Sequence, residues 1–380
     1  MKILYHHRTA SRDGQFVHIE ELVRSLRKLG HEVDIVGPAV KEASFGGVAS
    51  STSGLRKRLP SMLYEVLELA YAGLDFLILS HAILRKRPDI IYERYNLMLP
   101  SGIWAKRVFK LPLLLEVNAP LYEERLEHSG LKLRRLAAWT ERYVWRGADR
   151  VLAVTDVLAN IVSEQRGTRK GVHVIHNGVD TTEFSPREPN VTLRERYGIE
   201  SKVVIGFVGF VREWHGLEPV LRSLCATTNL DWHLVIIGDG PARETLERTA
   251  ESLNCSSRLS MVGLVGRDEI ANHLALFDIA LQPDVVPYAS PLKLFEYMSM
   301  GLAIVAVDTA NIREILTDGQ DGLFFPRGDT DAFVLAIRRL CYDDSLRSDL
   351  GRAAVRTIED RGFLWSKNAE RVVEIASLVE

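Results

Sequence analysis

Cysteine is scarce in this sequence of 380 residues, with only Cys225, Cys255 and Cys341. Their spacing matches neither a zinc site nor a disulfide framework, so we expect reduced thiols and a cytosolic protein. The start of the sequence lacks the apolar core of a secretory signal peptide. No run of about twenty apolar residues occurs, so we expect no helix that spans a bilayer.

Net charge is close to zero but unevenly distributed. Residues 1–180 contain 27 lysines and arginines against 20 acidic residues, a net charge of +7, and the remaining residues have 21 against 30, a net charge of −9. The basic residues of the first part form three clusters: Arg56 to Arg58, Arg85 to Arg87, and Lys132 with Arg134 and Arg135. Such clusters are either solvated helix faces or a surface for anionic lipids or an anionic acceptor. We expect no nucleic-acid partner.

Short runs of isoleucine, leucine and valine alternate with helical patterns along the whole sequence. Six such runs precede a polar stretch near residues 185–190, from "KILYHH" to "VHVIHNGV", and six follow it, from "KVVIGFVG" to "GLFFP". Nearly continuous apolar runs are typical of parallel strands covered on both faces. The sequence therefore predicts an α/β fold of two doubly wound, Rossmann-like domains, with a final helix from Trp365 to Glu380.

Residues that follow strands are the candidate site residues, because ligands of open α/β sheets bind beyond the carboxyl ends of the strands. Gly14 precedes the first helix and either lets the backbone approach a phosphate or forms a plain turn. The loop after Gly209 carries Arg212 and His215. This loop either holds a diphosphate or is a surface loop with a packed tryptophan.

Two further strand ends contribute candidates. Gly238 and Gly240 in "VIIGDGP" favour a tight turn and a close approach to a ligand, although the motif is not the dinucleotide-binding fingerprint. In "MVGLVGRDEI", backbone groups near Val262 and Leu264 are candidates for reading the edge of a nucleobase.

The stretch "PYASPLKLFEYMSMG" predicts a helix whose N-cap is Ser290 and whose first residue is Pro291. A helix N-terminus attracts anions, and Lys293 adds a positive charge for phosphate oxygens. Glu296, one turn later, suits the two hydroxyls of a ribose. The alternative is that Lys293 and Glu296 form an ordinary ion pair on the helix surface.

The order of these segments resembles the family-four glycosyltransferases, which are retaining enzymes of the GT-B fold. The resemblance extends over almost the whole chain and rests on five segments: "VIHNGVDTTEF", "VIIGDGPARETLERTA", "VGLVGRDEIANHLALFDIALQP", "SPLKLFEYMSMGLAIVAVD" and "GFLWSKNAERVVEI". It implies an acceptor-binding domain over residues 1–185, a domain over residues 186–362 that binds the nucleotide sugar, and a helix over 363–380 that returns to the first domain. Leu292 then joins the donor-binding residues, and Glu296 matches the residue that binds the ribose.

The sequence departs from the family pattern at several site positions. Tyr288 stands where many members have a glutamate that faces the donor sugar. Phe210 and His215 stand where an arginine and a lysine hold the diphosphate, and Asn118 replaces the usual histidine of the first domain. We therefore expect Arg212 and Lys293 to supply the positive charge on the phosphates, with Asn118 as the third catalytic residue.

The resemblance implies a retaining glycosyltransferase that moves a sugar from a nucleotide sugar to an acceptor hydroxyl. We expect front-side transfer without metal or other cofactor, and an acceptor that is a lipid-linked glycan or polysaccharide precursor. The alternatives are a nucleotide-sugar epimerase on the same fold and a catalytically silent relative.

An apolar helical segment with basic ends, residues 55–87, belongs either to the core or to an anionic membrane surface. Its acidic residues Glu65, Glu68 and Asp75 argue against a spanning helix. If the segment contacts the membrane surface, we expect a peripheral enzyme on the cytoplasmic membrane face.

Overall fold

The computed structural model describes residues 1–10, 14–38, 61–128, 130–227 and 230–379. The chain forms two compact units. Unit 1 comprises Met1–Asn177, Tyr288–Ser290 and Trp365–Glu380, and unit 2 comprises Gly178–Pro287 and Pro291–Leu364. The basic cluster Arg56 to Arg58 lies outside the described residues.

Unit 1 is built on a six-stranded parallel sheet with the strand order β2-β1-β3-β4-β5-β6. The strands are β1 (Lys2–His6), β2 (Glu32–Val36), β3 (Ile90–Arg94), β4 (Leu113–Val117), β5 (Arg150–Ala153) and β6 (Val172–Val174). The helices are α1 (Gly14–Lys28), α2 (Ser61–Lys86), α3 (Ser101–Phe109), α4 (Leu121–His128), α5 (Arg134–Gly147), α6 (Asp156–Arg166) and, at the end of the chain, α15 (Trp365–Ser377).

Apolar side chains cover both faces of this sheet, as the continuous apolar strands require. On one face, Ile19 and Leu22 of α1 share a buried cluster with Ala369 and Val372 of α15. On the other face, buried residues of α2, α3, α5 and α6 form a second cluster around Trp145. The last helix therefore completes the core of unit 1.

Unit 2 repeats the architecture with the strand order β12-β11-β10-β7-β8-β9, again parallel. The strands are β7 (Val203–Val208), β8 (Trp232–Ile237), β9 (Leu259–Gly263), β10 (Ile279–Gln282), β11 (Ala303–Asp308) and β12 (Leu323–Pro326). The helices are α7 (Val191–Tyr197), α8 (Leu217–Cys225), α9 (Arg243–Ser252), α10 (Arg267–Leu274), α11 (Leu292–Ser299), α12 (Ala310–Arg313), α13 (Thr330–Tyr342) and α14 (Asp344–Arg361).

The prediction of two doubly wound α/β folds is confirmed, because all twelve predicted runs contain a strand of one or the other parallel sheet. The expectation for the cysteines was wrong. Cys225, the last residue of α8, forms a disulfide with Cys255, which follows α9. Helices α8 and α9 pack against each other, and this packing brings together two cysteines that lie 30 residues apart in sequence. Cys341 is free and buried. The cytosolic compartment stays a prediction, and the disulfide does not support it.

Candidate active site

The ends of β7 and β8 in unit 2 are joined by backbone contacts between the loops that follow them. The N–H of Gly209 donates to the carbonyl of Ile237 at 2.9 Å, and the N–H of Val211 donates to that of Asp239 at 2.9 Å. A Cβ on Gly238 would lie 2.1 Å from the carbonyl oxygen of Gly209, and one on Gly240 would lie 2.2 Å from that of Val211. The close approach that these glycines permit is therefore to the neighbouring loop, and their expected contact with a ligand stays a prediction.

Lys293 projects from the first turn of α11 to the end of β7. Its Nζ donates to the carbonyl of Val208 at 3.1 Å and lies 4.1 Å from the centre of the Phe207 ring. No carboxylate among the described residues lies within ion-pair distance of it, although Glu296 is one turn away. Burial lowers the pKa of Lys293 to about 7, with Glu296 opposing the shift. The predicted alternative of a Lys293–Glu296 ion pair is therefore wrong.

His215 is buried beside this lysine, at the end of a single 3₁₀ turn from Glu213 to His215. Its Nδ1 accepts a hydrogen bond from the backbone N–H of Arg212 at 3.2 Å. Burial, together with the charges of Lys293 and Arg212, lowers the pKa of His215 to about 3. The ring is therefore neutral at physiological pH, and its proton sits on Nε2, which is a hydrogen-bond donor.

Arg212 is the exposed cation of the same loop. Its guanidinium lies 4.9 Å from the centre of the Phe210 ring. Unit 2 thus brings together Arg212, His215 and Lys293 around the loop after β7. Their role at a phosphate site stays a prediction.

Glu296 is held by a partner that the sequence analysis did not identify. Arg267, the first residue of α10, donates to Glu296 at 3.0 Å and forms an ion pair with Glu183 at 2.9 Å. The side chain of Glu296 is only 12% exposed. Burial raises the pKa of Glu296, and Arg267 opposes that shift. The carboxylate keeps acceptor capacity beyond the one arginine, so it can still receive ligand hydroxyls.

The remaining predicted residues of unit 2 lie at other strand ends. Val262 is half-buried in β9, and Leu264 follows that strand with its side chain 57% exposed. Leu292 is the first residue of α11 and is half-buried.

The prediction that Ser290 caps α11 was wrong. The helix begins at Leu292, and Pro291 is the N-cap residue without a side-chain cap. Ser290 belongs to unit 1, where its Oγ accepts from the N–H of Asn177 at 3.1 Å and its carbonyl accepts from the Asn177 side chain at 2.6 Å. The hydroxyl is thus already engaged elsewhere.

Tyr288 lies in the same short segment of unit 1. Its hydroxyl donates to Glu124, and its carbonyl accepts from the Thr155 hydroxyl at 2.9 Å. Burial and the neighbouring Glu124 raise its pKa, so the phenol stays neutral. The position that the family resemblance assigns to a sugar-facing glutamate thus holds a neutral hydrogen-bonding group.

Asn118 and Gly14 also belong to unit 1. Gly14 is exposed at the first position of α1. Asn118 follows β4, and its Nδ2 donates to Glu116 at 2.5 Å. Burial would raise the pKa of Glu116, but the charges of His18 and Arg94 outweigh it and hold that pKa well below its usual range.

Sequence reasoning missed several residues of these networks, among them Arg267, Asn177 and Glu116. Arg267 and Asn177 lie within quoted motifs, "VGLVGRDEI" and "HNGVD", so their presence was visible although their partners were not. Glu116 was recognisable as a charged residue near the end of a predicted buried strand, which is unusual unless the charge is paired. Among the described residues, no group of three or more histidine, cysteine, aspartate or glutamate side chains is arranged to hold a metal ion.

Comparison with known proteins identifies the class. Residues 12–183 match the family described as Glycosyltransferase Family 4, and residues 202–343 match that described as Glycosyl transferases group 1. The structure resembles a sucrose-phosphate synthase from Thermosynechococcus elongatus with a TM-score of 0.75 at 14% identity, over 100% of this chain and 99% of that one. It resembles Anabaena HepE, solved with UDP-glucose, with a TM-score of 0.72 at 16% identity, over 99% of both chains.

These likenesses define a GT-B fold, with two Rossmann-like units. The chain belongs to the family-four glycosyltransferases, as predicted.

Curated relatives span several substrates. An α-D-kanosaminyltransferase of Streptomyces kanamyceticus is 25% identical over 65% of this chain and 66% of its own. A sulfoquinovosyl transferase of Arabidopsis thaliana is 26% identical over 88% of this chain and 65% of its own. A D-inositol 3-phosphate glycosyltransferase of Kribbella flavida is 25% identical over 95% of this chain and 90% of its own. The chain thus spans just under two thirds of the first two relatives and most of the third.

Proposed function

We propose that the protein transfers a sugar, with retention of configuration, from a nucleoside-diphosphate sugar to an acceptor hydroxyl. The observation that carries this proposal is the ammonium of Lys293, which lies half-buried at the end of β7 with no carboxylate of the described residues within ion-pair distance. A cation that is partly withdrawn from water without a counterion is costly, and an anionic ligand relieves that cost. The HepE structures with UDP and UDP-glucose support a donor of this class.

The site fits the charge changes of the reaction. Negative charge grows on the diphosphate as the glycosidic bond breaks, and fixed cations and donors aimed at it stabilise the transition state. Lys293 and Arg212 supply the cations, and the Nε2–H of neutral His215 supplies a further donor. Glu296 accepts hydrogen bonds from the ribose hydroxyls. With this charge supplied by protein groups, we propose that transfer needs no divalent metal.

Retention follows from a front-side reaction, in which the leaving phosphate accepts the proton of the acceptor hydroxyl. At the position where a sugar-facing glutamate is expected, Tyr288 has a neutral phenol that donates its hydrogen bond to Glu124. The side chain at this position is therefore not a nucleophilic carboxylate. We propose Asn118, which follows β4, as a further catalytic residue. We propose a lipid-linked glycan or polysaccharide precursor as the acceptor.

Three incubations test the function. First, the protein is screened for thermal stabilisation by nucleoside diphosphates that differ in their base. Nucleotide sugars with the most stabilising base are then incubated with the protein in EDTA, once with glycan acceptors and once without them. We expect nucleotide to be released only when an acceptor is present. The anomeric configuration of the product should be the same as that of the donor.

Each of the other outcomes indicates a different function or a different metal requirement. Sugar conversion without acceptor indicates an epimerase, and binding without turnover indicates a silent relative. Transfer that stops in EDTA and returns with magnesium or manganese would contradict the metal-free site.

A further inference from the structure

Helix α2 of unit 1 carries large apolar side chains on its outward face as well as on its inward face, where Leu79 and Ile83 join the core and two carboxylates are also buried. Its inward side chains include Glu65 and Asp75, which are 2% and 4% exposed. Its outward side chains are large and apolar, each at least 44% exposed: Met62, Leu63, Val66, Leu67, Leu74, Leu77, Ile78 and Leu84. A helix against water normally places its charged residues outward and its apolar stripe inward. Eight of the twenty exposed large apolar side chains of the described residues lie on this one helix.

Both inward carboxylates of α2 have hydrogen-bond or ion-pair partners in unit 1. Glu65 accepts from the backbone N–H groups of Lys132 and Leu133 at 2.8 and 2.6 Å, at the start of α5. Asp75 accepts from the Ser101 hydroxyl at 2.6 Å and lies 3.1 Å from His6. By length and composition α2 could cross a bilayer, the one such helix in the described part of the chain. These buried pairings hold it against unit 1 instead, because separating them would leave unpaired buried charges.

Basic residues flank the apolar stripe at both ends, and no acidic side chain lies on it. Arg85 and Arg87 are exposed at its C-terminal end. At the other end, the contact between Glu65 and the start of α5 places the exposed cluster of Lys132, Arg134 and Arg135 beside the first turns of α2. From Met62 to Leu84 the stripe is roughly 33 Å long at about 1.5 Å per residue.

We propose that the outer face of α2 docks onto an anionic phospholipid surface and lies in its interface without crossing it. Apolar side chains enter the boundary between headgroups and acyl chains, and the two basic clusters contact the anionic headgroups. The basic flanks favour this occupant over a neutral apolar protein surface. The docking does not depend on the proposed function, because it uses no residue of the donor site.

Vesicle flotation with the full chain tests the proposal. At low salt we expect binding to vesicles of phosphatidylcholine with phosphatidylglycerol, and weak binding to phosphatidylcholine alone. The double variant Leu74→Glu/Leu77→Glu should bind anionic vesicles at least tenfold more weakly. The matched control is Leu335→Glu, a leucine of unit 2 that is 69% exposed, and it should bind like the wild type.

A second pair of variants separates the charge contribution. Arg85→Gln/Arg87→Gln should weaken binding about fivefold for each charge removed and reduce its salt dependence. All variants should keep the wild-type melting temperature and its shift with nucleoside diphosphate. Absence of wild-type binding at low salt, or equal binding by the double leucine variant, would overturn the proposal. A dimer in sedimentation velocity that the leucine variant dissociates, with no vesicle binding, would instead assign the face to a second copy of the chain.

Discussion

The two units surround a charge that is withdrawn from water in opposite ways: Glu116 of unit 1 is buried, and Lys293 of unit 2 is half-buried. In unit 1, the carboxylate of Glu116 contacts five side chains: His18, Arg94, Tyr92, Tyr5 and Asn118. In unit 2, the ammonium of Lys293 contacts one carbonyl and one aromatic ring, and no carboxylate of the described part of the chain lies within ion-pair distance of it. The pKa of the carboxyl falls below its usual range because its neighbours favour the charged form, whereas the pKa of the lysine falls to about 7 because its surroundings disfavour the charged form.

This difference separates a structural charge from a functional one. A charge surrounded by partners contributes to a fixed core and has little left to offer a ligand. A charge buried without a counterion raises the free energy of the empty protein, and the arrival of an anion lowers it. The contrast therefore predicts that removing Glu116 damages the fold and that removing Lys293 damages the reaction.

Replacing Glu116 should have the largest effect. Glu116→Ala leaves Arg94 buried without this counterion and His18 without this hydrogen-bond partner, so we expect the free energy of unfolding to fall by about 3–5 kcal/mol. Urea unfolding of the variant measures this loss. The control is Glu164→Ala, an exposed glutamate of the same unit, which should change stability little. A loss below about 1 kcal/mol would show that the paired charge is not structural.

Replacing Lys293 should lower turnover without lowering stability. We expect Lys293→Met to reduce kcat by about 10²–10³, since its charge acts mainly on the breaking bond. The folded pKa of this lysine, about 7, lies below its unfolded value, so the group destabilises the fold increasingly as the pH falls below about 10 and fully below about pH 7. The variant should therefore melt at or above the wild-type temperature.

Arg212→Ala should also lower kcat more than it weakens donor binding, and Arg248→Ala, an exposed arginine of unit 2, is the control. If only KM rises in the Lys293 or Arg212 variant, that group binds the donor uniformly and has no special role in the transition state.

Replacing Glu296 should weaken nucleotide binding. Loss of two charge-assisted hydrogen bonds to the ribose corresponds to about 2–4 kcal/mol in calorimetric titration with nucleoside diphosphate. Arg267 keeps its ion pair with Glu183, so the fold should survive. Unchanged affinity in Glu296→Ala would remove this residue from the donor site.

The smallest effect should be a pH dependence of donor binding. The phosphates require the protonated lysine, so affinity for a nucleoside diphosphate should fall from pH 7 to pH 9 by up to about tenfold per pH unit. The fall follows from the pKa of about 7 for Lys293 in the ligand-free protein. Titrations of the wild type and Lys293→Met distinguish its source, because the variant should lack this dependence. A wild-type affinity that is constant over this range would place the ammonium away from the phosphates.

Local patterns predicted the strands well because burial on both faces of a parallel sheet leaves a continuous apolar run. The helix that carries Lys293 was also predicted, but its first residue was not. Ser290 has the side chain of a good N-cap, and only the distant Asn177, which binds its hydroxyl, explains why it does not act as one. The pairing of Cys225 with Cys255 was missed for the same reason, since it depends on the packing of two helices.

In the candidate site, too, local patterns were predictable from sequence and distant partners were not. Residues at strand ends can be chosen from sequence, since the topology of the sheet fixes where those ends lie. Their partners cannot be chosen in this way: Arg267 is 29 residues from Glu296, and Glu116 is 22 residues from Arg94. The apolar outward face of α2 was also hidden, because the composition of the helix alone does not say which side faces the sheet.

The division of the chain has a consequence for protein engineering. The backbone passes from one unit to the other four times, after Asn177, Pro287, Ser290 and Leu364. A single cut after Asn177 would therefore deprive the first unit of the Ser290 segment and of α15, whose Ala369 and Val372 belong to its core. Exchange of donor specificity with a relative by domain shuffling thus needs junctions at all four passages, and a chimera with one junction should be insoluble.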